Sequence, residues 1–136
     1  MSRLEVTSDA SIASVNFLVH DIDEALRFFR ECLGFDVVAD EIDSDRRRTV
    51  VAPRGGTGAA LVLKPAIGEE QQAAVGRQGG GVVLFFLETD DFARDHGRML
   101  AAGVRFREEP RHEVYGSVAV FDDLYGNGWD LIQPAP

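Results

Sequence analysis

The sequence predicts an α+β domain built from two tandem β-α-β-β-β modules. Three observations carry that expectation. A strand-then-helix pattern in residues 12–34 recurs in residues 82–103. The helices it implies run from Asp21 to Gly34 and from Asp90 to Gly103, so their ends stand 69 residues apart. Each copy closes on an extended apolar run followed by proline, Pro65 in the first and Pro134 in the second.

The elements follow in order. Residues 12–20 are rich in branched and aromatic side chains and read as a strand. Asp21 with Glu24 makes a capping-box-like pair, and Ile22, Ala25, Leu26, Phe29 and Leu33 recur at helical spacing. Gly34 closes the helix as a left-handed C′ residue, and a strand starts at Phe35. Residues 48–52 and 59–63 read as further strands around a glycine-rich turn. In the second copy, residues 82–87 form the strand, Asp90 and Asp91 are capping candidates, and Phe92, His96, Met99 and Leu100 mark the helical stripe. Gly103 ends the helix, residues 104–106 begin a strand, and residues 117–121 and 128–133 complete the module. The boundaries expected are a leader at 1–11, modules at 12–67 and 82–134, and a polar, glycine-rich surface linker at 68–81. All belong to one structural domain.

Composition bounds the function classes. A chain of 136 residues with 45% apolar and 27% charged residues can bury one core. The single cysteine, Cys32, permits no internal disulfide and suits a cytoplasmic setting. Residues 1–10 hold Glu5 and Asp9 without an apolar stretch, unlike a signal peptide. A formal net charge of −9 argues against nucleic-acid and anionic-membrane partners. The basic run Arg46-Arg47-Arg48 follows Asp40, Glu41, Asp43 and Asp45, and reads as a solvated strand or hairpin. The glycine runs at Gly55 and Gly79 lack the Lys-Ser/Thr of a phosphate loop.

The stretch Asn16-Phe17-Leu18-Val19-His20-Asp21, with Leu33-Gly34-Phe35, resembles the opening of the vicinal oxygen chelate superfamily. Glu88-Thr89-Asp90-Asp91-Phe92, Ala102-Gly103-Val104 and Gly126-Asn127-Gly128-Trp129-Asp130 agree in order and spacing. That superfamily includes glyoxalase I, bleomycin-resistance proteins and extradiol dioxygenases. The resemblance implies curved half-barrel sheets around a cleft, and a homodimer. It also implies a divalent metal in catalytic members, held from the first and last strands of a module. Here those positions fall on Ser14, on Leu61 or Val62 according to register, on Leu84 and on Asp130. Leucine and valine cannot ligate, so no cofactor is expected.

Other residues offer chemistry of their own. His112 with Glu113 could form a proton-abstracting pair, or His112 is a solvated loop residue. His20 reads as a surface or capping residue, His96 as helix–sheet packing and Cys32 as a packed thiol. Asn16 and Asp130 are polar on otherwise apolar strands, so each is either satisfied by neighbours or aimed at a ligand. Phe86, Tyr115 and Trp129 are the aromatic candidates for ligand stacking. The family's Asp-Pro-x-Gly-Asn turn reads Asp123-Leu124-Tyr125-Gly126-Asn127 here, and leucine for proline should relax it.

Three functions follow. The first is metal-independent binding of a small planar or aromatic ligand in a dimer cleft. The second is a metal-dependent lyase, isomerase or dioxygenase, using donors such as His112, Glu113 or Asp130. The third is a non-catalytic scaffold or regulatory subunit.

Overall fold

A computed structural model describes residues 9–136. The expected leader at 1–11 falls mostly outside the described residues. The first module comprises β1 (Ser14–Val19), α1 (Ile22–Glu31), β2 (Asp36–Asp43), β3 (Arg46–Ala52) and β4 (Ala60–Pro65). Next comes α2 (Gly68–Ala74), in the segment expected to be a linker. The second module comprises β5 (Phe85–Glu88), α3 (Phe92–Ala101), β6 (Arg111–Glu113), β7 (Gly116–Asp122) and β8 (Gly128–Pro134). The two four-stranded sheets have matching orders, β1-β4-β3-β2 and β5-β8-β7-β6. In each, the first and last strands of the module pair in parallel and the remaining neighbours are antiparallel. The fold is thus the α+β duplication that the sequence predicts, with open rather than closed sheets.

The caps form from local chemistry. The Glu24 N–H donates to Asp21 Oδ1 at 2.8 Å, and the Arg94 N–H donates to Asp91 Oδ1 at 3.0 Å. Asp91 rather than Asp90 therefore caps α3. Gly34 and Gly103 both hold positive φ, 69° and 89°, at the helix ends. Alternation then sorts each strand between two faces. Phe17, Val19, Leu61, Leu63, Phe121, Trp129 and Leu131 turn to the helix side and share one core. The core joins the modules: Phe17 packs on Phe85 at 6.1 Å, and Phe29 of α1 lies 6.0 Å from Trp129.

Two boundaries and the repeat offset differ from expectation. The second module's first strand begins at Phe85, because the preceding segment is spent on turns, with Gly80 and Gly81 at positive φ. Residues 104–106 contribute only an isolated bridge, Phe106 to Phe121, and the edge strand forms at residues 111–113 instead. The repeat also has no single offset. The helix N-caps Asp21 and Asp91 lie 70 residues apart and the closing glycines Gly34 and Gly103 lie 69 apart, while ladder register matches Asn16 with Phe86 and Val62 with Asp130. That places 70 residues between the first strands and 68 between the last.

Candidate functional site on the open sheet faces

Each sheet has a second face, turned away from the helices and the core. On the second sheet, Phe86 is 71% exposed and stands beside Asp130 in the parallel ladder. Val120 flanks Asp130 on its other side. The Val120 N–H donates to Glu108 Oε2 at 2.9 Å. The Arg111 guanidinium holds the same carboxylate, Nε donating to Oε1 at 2.7 Å. Arg111 also reaches Glu113 at 3.5 Å and donates to the Tyr115 hydroxyl at 3.4 Å. Asp130, Glu108, Arg111, Glu113 and Tyr115 thus form one polar group bordered by the exposed Phe86 ring.

Asp130 is the anomaly in this group. Its Oδ1 is buried and has no hydrogen-bond partner. A buried acceptor without a donor costs about 1–3 kcal/mol. Burial pushes the Asp130 carboxyl above the usual carboxylate range; Arg111 opposes that shift and Glu108 adds to it. Glu108 moves the other way, held low chiefly by its hydrogen bond from Arg111. The two neighbouring carboxylates are therefore unequal: Glu108 is committed to Arg111, while Asp130 keeps a free acceptor.

The remaining candidates are dispersed. Asn16 is exposed on the open face of the first sheet, beside Val62. Ser14 is exposed and pairs with Ala60. Leu61 is 6% exposed and belongs to the core, so Val62 is the open-face counterpart of Asp130. Leu84 precedes β5 and packs against the core. Trp129 is 2% exposed on the helix side, and its indole N–H donates to Asp123 Oδ2 at 2.9 Å. The tryptophan's polar handle is thereby used inside the protein. His112 lies on β6 and shares a hydrogen bond with Ser117 Oγ at 2.9 Å. Glu113 is the next residue of the same strand, so the two side chains point to opposite faces and form no acid–base pair.

The fold implies a metal in some proteins, and the donor set can be tested against one. Ladder register puts Asn16, Val62, Phe86 and Asp130 at matched open-face positions. That set offers one carboxylate and one amide. Among the described residues, no group of three or more His, Cys, Asp or Glu side chains is placed to hold an ion. These residues do not fit an all-protein metal site.

Other motif residues have structural partners. Cys32 Sγ lies 3.8 Å from the Ala102 carbonyl, and burial raises its thiol pKa, with Glu31 adding to the effect. His96 stacks on Phe92 at 5.4 Å. His20 Nδ1 lies 2.9 Å from Gln72 Oε1.

The Asp123 turn is tight despite Leu124. The Asp123 carboxylate accepts from the Tyr125 and Asn127 N–H groups at 3.0 Å each. It also accepts from Asn127 Nδ2 and Trp129 Nε1 at 2.9 Å each. The expectation of a relaxed turn is overturned, because the aspartate rather than proline sets the geometry.

Two features escaped the sequence reading. Glu108 lies outside any motif, and its role appears only when β7 brings the Val120 N–H to it. Gln78, in the segment read as linker, accepts from the Leu18 N–H at 2.9 Å and donates to the Leu18 carbonyl at 3.2 Å. No local pattern announces a glutamine that substitutes for a neighbouring strand.

Known proteins place this arrangement in context. The family model of the Glyoxalase/Bleomycin resistance protein/Dioxygenase superfamily matches residues 11–131. An uncharacterized protein of Shewanella frigidimarina (strain NCIMB 400) is 46% identical over 125 residues, covering 90% of this chain and 93% of that protein. The crystal structure of UcmS2 superposes with a TM-score of 0.78 at 30% identity, covering 92% of this chain and 98% of the other. TnmS3, an antibiotic binding protein from Streptomyces sp. CB03234, gives a TM-score of 0.74 at 28% identity, covering 96% and 100%.

Proposed function

We propose that this chain, which belongs to the Glyoxalase/Bleomycin resistance protein/Dioxygenase superfamily, is a metal-independent binding protein for a small planar or aromatic ligand. The observation that carries the reading is Asp130 Oδ1, a buried acceptor without a donor, beside the exposed ring of Phe86. A ligand that stacks a flat body on Phe86 and donates an N–H or O–H to Asp130 satisfies both. The poor metal donor set supports the same reading over lyase, isomerase or dioxygenase chemistry. So does the likeness to TnmS3, which is described as an antibiotic binding protein. A homodimer cleft is part of the proposal. Its support is the apolar surface on and beside the edge strands, where Val38 is 61%, Ile42 78% and Val114 97% exposed.

The test combines metal content with ligand titration. Purified protein is analysed for transition metals, then titrated with planar aromatic antibiotics such as anthracyclines, before and after exhaustive chelation. The expected result is a ligand-dependent rise in Tm that chelation leaves unchanged and Asp130→Ala removes. About one tightly held transition metal per chain, lost in Asp130→Ala, would overturn the reading in favour of the enzymatic one.

A further inference from the structure

The two modules meet on both sides of the molecule, and the two meeting places are not alike. On one side, the turn at residues 123–127 of the second module lies over the β1–α1 junction of the first. The Tyr125 ring packs edge-on against His20 at 5.3 Å, and its hydroxyl lies 3.3 Å from the Asp21 carbonyl. Gln78 completes that side. Its carboxamide makes the paired bonds to the N–H and C=O of Leu18, and its backbone N–H donates to Asn127 Oδ1 at 3.2 Å. Gly76 lies so close that a Cβ there would collide with the Tyr125 carbonyl oxygen. One ring and one carboxamide fill this side.

On the other side, the turn at residues 53–59 of the first module lies over the β5–α3 junction of the second. The middle of this turn is Gly55-Gly56, where its counterpart has Tyr125. A cavity of about 770 Å³ results, lined by Gly55, Gly56, Glu88, Thr89 and Asp90 among others. Ladder register matches Glu88 with Leu18. The Thr89 N–H donates to the Ile132 carbonyl across the ladder at 2.9 Å. Alternation therefore turns the Glu88 N–H and C=O to the opposite edge, toward the cavity. Among the described residues nothing does for Glu88 what Gln78 does for Leu18. The charged side chains of the lining sum to zero, Arg54, Arg94 and Arg98 against Glu88, Asp90 and Asp95, and four of them pair with each other. Arg94 bonds Asp90 and Asp95 at 3.0 and 3.1 Å, and Arg98 lies 3.5 Å from Asp95. Such a rim neither attracts nor needs a net charge.

We propose that this cavity is a second binding site, distinct from the open sheet faces, for a small neutral aromatic amide. The ligand's carboxamide pairs with the N–H and C=O of Glu88, as Gln78 pairs with Leu18. Its ring occupies the space over Gly55-Gly56 that Tyr125 occupies on the other side.

The test is an amide-resolved NMR titration of ¹⁵N-labelled protein with benzamide and with N,N-dimethylbenzamide, each to millimolar concentration. Benzamide is expected to give saturating shifts at Glu88, Thr89, Gly55 and Gly56 that persist unchanged in Asp130→Ala, whatever it does at the open sheet face. Loss of the N–H donor should weaken the dimethyl compound about tenfold, the equivalent of one made hydrogen bond. Gly56→Tyr, which supplies the missing ring from the chain itself, should abolish the benzamide shifts. Absence of shifts at Glu88, equal binding of the two compounds, or undiminished binding by folded Gly56→Tyr would overturn the proposal. The two-compound comparison on the unaltered protein decides the matter even where Gly56→Tyr does not fold.

Discussion

The first and second modules share topology, caps and core positions, yet their open faces differ in kind. Around Val62 the first presents Ser14 and Asn16, neutral side chains that carry no ion pair, with Lys64 and Arg48 farther along the same face. The second presents Asp130, Glu108, Arg111, Glu113 and Tyr115 around Phe86. Their long turns differ in the same sense. Asp123 gathers four hydrogen-bond donors in the second module, whereas the turn beginning at Pro53 is held by one backbone bond, from the Gly56 N–H to the Pro53 carbonyl at 3.1 Å. Duplication supplies two equal scaffolds. Burial of the core constrains both alike, while the open faces are free to diverge.

The sharpest test of this contrast is the pair of turns. Asp123→Ala strands the Trp129 and Asn127 donors in a buried site, so it should cost about 3 kcal/mol or more in urea unfolding. Pro53→Ala should cost under about 1 kcal/mol, since it removes no hydrogen bond. Equal losses would break the contrast. The pair of open faces comes next. Asp130→Asn should weaken binding of a planar donor ligand about tenfold or more, the scale of one charge-assisted hydrogen bond, whereas Asn16→Ala should change it less. Stability should respond in the opposite sense. The Asp130 carboxyl is raised in the folded state, chiefly by burial. Its contribution is therefore present at low pH and lost as pH rises through the folded value. Unfolding midpoints at neutral pH should not fall in Asp130→Asn. The Asp130 share of stability, which develops as pH falls from the raised folded value toward the ordinary carboxylate value, should be absent in the variant.

How much of this was legible in the sequence follows from the range of each interaction. Caps are local, so Asp21, Gly34 and Gly103 could be read directly, and so could the duplication that they mark. Strand register is not local. The turn at residues 53–59 is longer than that at residues 123–127, which shifts the last strands to a 68-residue offset while the first strands and helix N-caps keep 70. A slip of one residue moves a side chain to the opposite face. That is why Leu61 lies in the core and Val62 stands opposite Asp130. Trp129 was misplaced for a related reason: an indole beside a buried aspartate and an indole beside a ligand look alike in sequence. Asp130 stood out because it is polar on an otherwise apolar strand, and Tyr115 because it joins a flat apolar body to a polar handle; Phe86, inside an apolar run, could be named only as aromatic surface. Glu108 and Gln78 were not, since their partners lie 12 and 60 residues away.

Gln78 gives the third prediction. Gln78→Ala removes both bonds to Leu18, which is only partly buried, so water can replace part of what is lost. A cost of about 1–2 kcal/mol is expected. Faster hydrogen exchange at the Leu18 amide should accompany it, with no change at the Glu88 amide, which has no such partner. A protection change at both positions would show that Gln78 stabilises the whole molecule rather than one meeting place of the modules.

The smallest effect is expected from Tyr125→Phe. The hydroxyl's contacts are long: 3.4 Å from the Asp21 N–H, 3.3 Å to the Asp21 carbonyl and 3.4 Å to Glu24 Oε2. Asp21 also caps α1 through its side chain, so its capping bond does not depend on the tyrosine. The ring itself keeps its edge-on contact with His20 in the variant. A loss of no more than about 0.5 kcal/mol follows, the low end for a solvent-accessible hydrogen bond. Tyr125→Ala removes the ring as well and should cost several times more. If Tyr125→Phe instead matched Tyr125→Ala, the hydroxyl rather than the ring would hold the modules together. The cavity at Gly55-Gly56 would then lack a hydrogen-bonding group rather than an aromatic surface.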